Sequence, residues 1–467
     1  MSNSKFDTSR RNFIKNASLA SLAVASPLSS ILNLKTMNAL MNSAPPPSTG
    51  YKALVCFFLH GGNDSYNMLM PRSTSEYMHY ANTRTNMAIS QAGMLPLGGV
   101  NGNYGVHPAF SDVQQMYDNG DLSFLTNVGT LVEPTNKTLY TNGSVAVPLG
   151  LFSHLDQYNH WQSARANVRT NKGWGGKVAD LLASANTNTN ISMNVSLAGS
   201  NIFQFGQNTI EFTIDKNGAN IPTNRNSISG NHLARRSATD SIMNQSYSDV
   251  FQETYANTFS GSIDSAEQFQ AAIDAVPNFV TPFAADTTSQ EFEMIAKTIH
   301  ARSTLGFDRQ IFFVRLTGFD HHDDLLIKHA EKLTIVNDAM KSFKGALDEM
   351  GLFNDVTTFV ASEFARTLTS NGDGTDHGWG GNAMVMGGDV NGGNIYGTYP
   401  SLEVGSNDYI GNGVMIPSTS ADSMFAELAM WYGVPQSDLT TVFPNLGNFH
   451  TVSSLNAANP PLGFMNL

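Results

Sequence analysis

The sequence predicts an α/β fold: a doubly wound, mostly parallel sheet flanked by helices, with an insertion. Three observations carry that expectation. Residues 53–59 (Ala-Leu-Val-Cys-Phe-Phe-Leu) form an unbroken apolar run, as expected of a strand covered on both faces. A second pair of apolar runs, 311–316 and 356–361, brackets a helical pattern. Strand, helix, strand is the βαβ unit, which places two strands parallel in one sheet. Each of these three runs is followed by Gly-rich or titratable residues, where ligands of open α/β sheets bind.

Taken in order, the first run ends in His60-Gly61-Gly62-Asn63-Asp64-Ser65, a polar turn that exposes a carboxylate after two glycines. Residues 122–128 read as the next strand. Ser153-His154-Leu155-Asp156 places a serine at a predicted helix start, where the dipole and free N–H groups favour either a cap or an activated hydroxyl. Residues 185–285 are rich in Asn, Ser, Thr and Gln with weak periodicity, and are expected to be an insertion, partly helical, crossing one end of the sheet. Arg235-Arg236 is an isolated basic pair there. Leu333, Val336, Met340, Phe343 and Leu347 recur at helical spacing, and Gly351 stands where that helix stops. A late helix is expected over Ala421 to Tyr432, ending at Gly433. The tail from Ser453 reads as irregular structure.

Composition limits the function. The chain has 467 residues, 41% of them hydrophobic and only 14% charged, with a formal net charge of −12. Five Lys or Arg fall within the first 45 residues against one Asp, so the remainder is more acidic still. An acidic body lacks the clustered cations that nucleic acid requires. The single cysteine, Cys56, excludes an intrachain disulfide and a four-thiolate metal site, and reads as a buried apolar residue.

The N-terminus reads as an address. Ser9-Arg10-Arg11-Asn12-Phe13-Ile14-Lys15, followed by a mildly apolar Ala/Ser-rich stretch, resembles a twin-arginine export signal. Residues 1–45 are therefore expected to be signal and linker, and 46–467 one α/β domain. No run after it is long and apolar enough to span a membrane. The expected location is periplasmic or secreted.

Candidate chemistry lies in two further segments. Gly-Phe-Asp-His-His-Asp (318–323) offers Asp320 and His322 on one face, since alternate residues of an extended segment point the same way. Ser-Glu-Phe-Ala-Arg-Thr (362–367) offers Glu363 as a ligand and Arg366 as an anion-holding group, on one side of a helix if one follows. Asp376-His377-Gly378 adds a carboxylate and an imidazole. Oxygen and imidazole donors together suit a divalent metal.

The order Gly-Gly-Asn-Asp (61–64), Ser-His (153–154), Phe-Asp-His-His (319–322), Ser-Glu-Phe-Ala-Arg-Thr (362–367) and Asp-His-Gly (376–378) resembles an exported bacterial family, domain of unknown function family 1501. That family belongs to the alkaline phosphatase-like superfamily, alongside sulfatases. The resemblance implies a doubly wound sheet and two metals, zinc first, with manganese or calcium as alternatives. It further implies Asp64 and Glu363 on one metal, with Asn63 as a further candidate, and Asp320, His322 and His377 on the other. Ser153 would take the nucleophile's place, and the substrate would be a small anionic ester of phosphate or sulfate. The chain departs from the superfamily in having Glu363-Phe364 where Asp-His is common, which removes one imidazole. A non-catalytic binding or assembly protein on the same fold is the alternative that this departure suggests.

Overall fold

The seven apolar residues 53–59 lie at the centre of the sheet because neither of their faces tolerates water. In the computed structural model, which describes residues 50–99, 102–222 and 225–467, they form β1 (Lys52–His60). Phe57 packs edge-on against Phe292, 4.9 Å between ring centres, on one face of the sheet. Phe58 meets Tyr158 at 5.1 Å on the other. Complete burial of such a ring contributes about 1.5–3 kcal/mol relative to exposure, so β1 is anchored from both sides.

The remaining strands of the main sheet are β2 (Leu122–Gly129), β3 (Asn194–Ser196), β4 (Phe212–Asp215), β5 (Arg309–Thr317), β6 (Val356–Ala361) and β7 (Gly381–Met386). Their spatial order is β2-β7-β6-β1-β5-β3-β4, with short strands at both edges. β1 pairs in parallel with β6 on one side and β5 on the other. β3 continues in parallel beside β5, and β4 beside β3. The sheet is mostly parallel, with two departures: β7 runs antiparallel to both β6 and β2, and the two-residue edge strand Gly218–Ala219 runs antiparallel to β4. The Gly-rich 371–381 region turns the chain back there instead of sending it through a crossover helix.

Seven helices matter below: α1 (His154–Ser163), α2 (Trp174–Leu182), α3 (Gly230–Met243), α4 (Val250–Asp274), α5 (Thr287–His300), α6 (Leu325–Met350) and α7 (Ala421–Tyr432). The expected helical apolar set on α6 is fully buried, and Gly351 ends the helix with a left-handed φ of 66°. Gly433 ends α7 in the same manner at φ 115°. α6 connects β5 to β6 across β1, giving the anticipated βαβ unit. Residues 185–285 supply β3 and β4 to the sheet edge and contain α3 and α4.

One local expectation is overturned. No helix follows Glu363: Arg366–Ser370 is a strand, paired antiparallel with Thr375–His377. The Asn371–Gly374 turn closes a hairpin, in which Arg366 lies opposite His377 rather than one helical turn from Glu363. The twin-arginine segment and its linker lie outside the described residues. Among the described residues no helix is long and apolar enough to cross a membrane.

Candidate metal centre

Because β1, β5 and β6 are parallel and in register, with His60 opposite Thr317 and Phe58 opposite Ala361, their C-terminal ends open onto one edge of the sheet. The segments after them, 60–64, 317–323 and 361–366, therefore meet. Gly61 permits the closest approach. Its φ is 125°, and a Cβ there would come within 2.5 Å of the Asp320 backbone nitrogen.

Four side chains converge at this edge. His154, the first residue of α1, brings Nε2 to 3.0 Å from Nε2 of His377. His322 Nε2 is 3.2 Å from the same His377 atom. Asp320 stands among them, 3.0 Å from His322, 3.4 Å from His154 and 3.4 Å from His377. His154, Asp320 and His377 offer ligand atoms that all lie within 4.8 Å of one another.

The outer ring nitrogens decide what this convergence means. His377 Nδ1 is 2.9 Å from the Phe152 carbonyl, which only accepts, so the proton sits on Nδ1 and the Nε2 lone pair faces inward. His154 Nδ1 is 2.9 Å from Glu363 Oε1, which fixes the same tautomer. His322 Nδ1 is 3.4 Å from the exposed carboxylate of Asp376, a weaker contact of the same sense. The imidazole lone pairs of His154 and His377 and the Asp320 carboxylate thus face one point, with His322 beside His377 and Asp320 at its rim. A single extra proton can bridge one pair of them but not all. A divalent cation would satisfy His154, Asp320 and His377 together, and imidazole with carboxylate is a donor set that suits zinc.

Glu363 is placed behind His154, not in the cluster. Its Oε1 accepts from the Gly61 N–H at 2.8 Å and from His154, and lies 3.1 Å from His60 Nδ1. Burial alone would raise its pKa, but the contacts with His154 and His60 bring it down to about 2. The same hydrogen bond raises the pKa of His154. A carboxylate that holds a ligand imidazole from behind fixes the ring's tautomer and orientation. The expected direct-ligand role of Glu363 is corrected accordingly. Glu363→Gln should leave the protein folded and weaken metal binding by about 10–100-fold, the usual effect of losing such a partner. Titration against a fluorescent chelator measures it, and unchanged affinity would contradict the placement.

Arg366 is corrected in the same sense. Its side chain has no exposed surface. It donates to Asp320 Oδ1 at 2.6 Å, to the hydroxyl and carbonyl of Thr375 and to the Gly61 carbonyl. Burial tends to raise the Asp320 pKa, yet the Arg366 guanidinium holds it below the usual carboxylate value. Arg366 thus orients Asp320 and keeps it ionised, and its complete burial turns it away from a substrate. Phe364 stacks beneath the His377 ring, 4.9 Å between centres.

Asp64 is turned elsewhere. It is completely buried and forms an ion pair with Arg84, itself completely buried, which also donates to the Thr367 carbonyl at 3.0 Å. Burial raises the Asp64 pKa despite that partner. Asn63, a further candidate, hydrogen-bonds the buried His329 at 2.9 Å. Ser153 is the N-cap of α1, its hydroxyl accepting from the Asp156 N–H at 3.4 Å, a long contact.

His154 and His60 were not singled out as ligand or support in the sequence. Their signals were present: His60 is the last residue of the central strand, and His154 follows the candidate serine.

His321, next to Asp320, turns inward. With His107 and His329 it forms a buried cluster, ring centres 5.6–5.8 Å apart along His107–His329–His321. Burial lowers the His107 pKa to about 4 and holds that of His329 well below its usual value. Both are therefore neutral in the fold but protonate near 6.5 when unfolded. The unfolded state binds more protons as pH falls below 6.5, so this stability is present above 6.5 and is lost toward pH 4. His107 alone carries on the order of 3 kcal/mol at 1.36 kcal/mol per unit. Urea denaturation in chelator at pH 7.5, 5.5 and 4.5 should give falling midpoints, and a flat profile would contradict neutral burial.

The fold and site together define a mostly parallel α/β protein with a histidine-rich candidate cation centre at the C-terminal edge of its sheet. The chain belongs to the family described as protein of unknown function (DUF1501), whose profile matches residues 51–412. No curated protein matches the sequence. Among solved structures, the chain is similar to a sulfatase from Pseudoalteromonas sp., with 8% identity and a TM-score of 0.32 over 79% of this chain and 68% of that one. It is similar to the C-terminal periplasmic domain of EcEptC from Escherichia coli in complex with Zn, with 8% identity and a TM-score of 0.33 over 74% and 77%. It is also similar to the alkaline phosphatase PafA, with 12% identity and a TM-score of 0.28 over 70% and 64%.

Proposed function

We propose that this protein is an exported, metal-dependent hydrolase of phosphate or sulfate esters. The supporting observation is the convergence of the His154 and His377 imidazoles on the Asp320 carboxylate, with His322 3.2 Å from His377 and 3.0 Å from Asp320. His154, Asp320 and His377 would hold one divalent ion, with His322 close enough to join them, zinc by preference for nitrogen donors. Bound there, the ion would supply Lewis acidity to an ester oxygen. The Arg10-Arg11 motif supports export, and the acidic composition argues for a small substrate rather than nucleic acid.

The chain's own residues have distinct roles. Glu363 and Arg366 orient His154 and Asp320. Ser153 is the proposed nucleophile: it precedes His154, it is half-buried, and its hydroxyl is held only locally, by the Asp156 N–H and carboxylate. Its Oγ would bond to phosphorus or sulfur while the ester's alcohol departs with the hydroxyl proton. Water would then release the acid and restore the serine.

The test is a panel of aryl phosphates and sulfates with and without chelator, run on the wild type and on Ser153→Ala. Chelator-sensitive turnover that falls about 10²-fold or more in Ser153→Ala is expected. Chelator-sensitive turnover that Ser153→Ala leaves intact would reassign the nucleophile to water. No chelator-sensitive turnover on any ester would overturn the hydrolase reading and favour a binding or assembly role.

A further inference from the structure

An amphipathic helix normally turns its apolar face to its neighbour, and α3 does the reverse. His232, Arg235, Arg236 and Thr239 recur at i, i+3, i+4 and i+7 and so share one face. That face looks onto Phe259 and Ile263 of α4 across a cleft of about 140 Å³ that Pro222 and Arg225 also line. Leu233 and Ile242 of α3 instead lie about half exposed. None of the residues of α3 is buried, so the helix gains little from apolar packing in this arrangement.

The charges around the cleft do not balance. Arg225 is paired with Asp240 and with Glu267, both at 2.8 Å. Arg236 shares Asp240 at a longer 3.7 Å. Arg235 has no carboxylate within ion-pair distance among the described residues. Three guanidinium groups thus line the cleft against two carboxylates, in a chain whose formal net charge is −12. Arg225, with only 9% of its side chain exposed, is held rigidly at the cleft's edge by its two partners. The floor is aromatic and aliphatic.

We propose that the α3–α4 cleft is a second binding site, for a small oxyanion carried on an apolar body: an aryl or short alkyl carboxylate, sulfate or phosphate. Arg235 and Arg236 meet the oxyanion, and Phe259 and Ile263 meet the apolar group. The volume is below the ~300 Å³ at which drug-sized pockets begin, which limits the ligand to one ring or a short chain. The site shares no residue with the metal centre and stands whether or not that centre hydrolyses esters.

Isothermal titration of the full chain with phenyl sulfate, phenyl phosphate and benzoate tests it, with phenol and inorganic sulfate as partial ligands. Saturable binding of at least one of the three is expected. Arg235→Gln, at an exposed position, should weaken it at least tenfold with unchanged thermal stability, while Asp320→Ala, which disables the metal centre, should leave it within twofold. The proposal is overturned if none of the three binds saturably, or if Arg235→Gln leaves binding intact. Loss of binding in Asp320→Ala would also overturn it, by assigning the ligand to the metal centre. So would phenol or inorganic sulfate binding as tightly as the combined ligand.

Discussion

His154→Ala is expected to abolish metal uptake at the candidate centre. His154 is the residue through which the helix α1 reaches the sheet edge, and its ring links the buried Glu363 to the inner point where His377 and Asp320 meet. Removing it deletes a donor and also leaves Glu363 Oε1 without one of its three contacts. The loss in metal affinity should exceed the ~10–100-fold that follows from losing an outer partner, and so should exceed the effect of Glu363→Gln. His154 is partly exposed and its ring is not part of the main core, so the variant should fold. Competition with a metal-binding dye, beside circular dichroism for the fold, measures both. A folded His154→Ala protein with wild-type affinity would contradict the assignment.

Replacing Arg84 with methionine is expected to cost about 3–5 kcal/mol of stability, because it leaves the Asp64 carboxylate buried without its countercharge. Both groups are fully excluded from water, and among the described residues no second cation pairs directly with Asp64. The companion variant Arg84→Met/Asp64→Leu removes both charges and should recover most of the loss, since an apolar pair of similar volume is often neutral or better. Urea midpoints of the two variants and the wild type form the test. The single variant's remaining folded fraction should bind metal as the wild type does. If Arg84→Met instead kept full stability and lost its metal, Asp64 would belong to the centre after all.

Much of the fold was legible in the sequence because its central elements follow period rules without conflict. The unbroken run 53–59 had only one place to go, and the helical set from Leu333 to Leu347 ended at a glycine. The departures arose where long-range pairing overrode local pattern. Ser362 to Thr367 carries no signal that distinguishes a helix start from a strand; the hairpin forms because Thr375–His377 returns to pair with Arg366. The antiparallel β7 was likewise unmarked, since an apolar run does not state its direction.

In the candidate site, Asp320, His322 and His377 were readable as a group, and the structure brings them together. Glu363, Arg366 and Asp64 were recognisable as chemically unusual, but the direction in which each carboxylate or guanidinium turns depends on partners far away in sequence. Glu363 meets Gly61 and His154, Arg366 meets Asp320, and Asp64 meets Arg84. Asp64 and Arg84 are 20 residues apart, and no local pattern joins them.

Metal content is the most direct measurement. The full chain, purified without metal-affinity steps and dialysed free of loosely held ions, is analysed by inductively coupled plasma mass spectrometry beside Asp320→Ala and His377→Ala. About one equivalent of a divalent metal, zinc first, in the wild type and little in either variant is the result this account predicts. A wild type that retains no metal and takes up none when zinc is added would contradict it, leaving the facing imidazoles of His154 and His377 without the cation they imply.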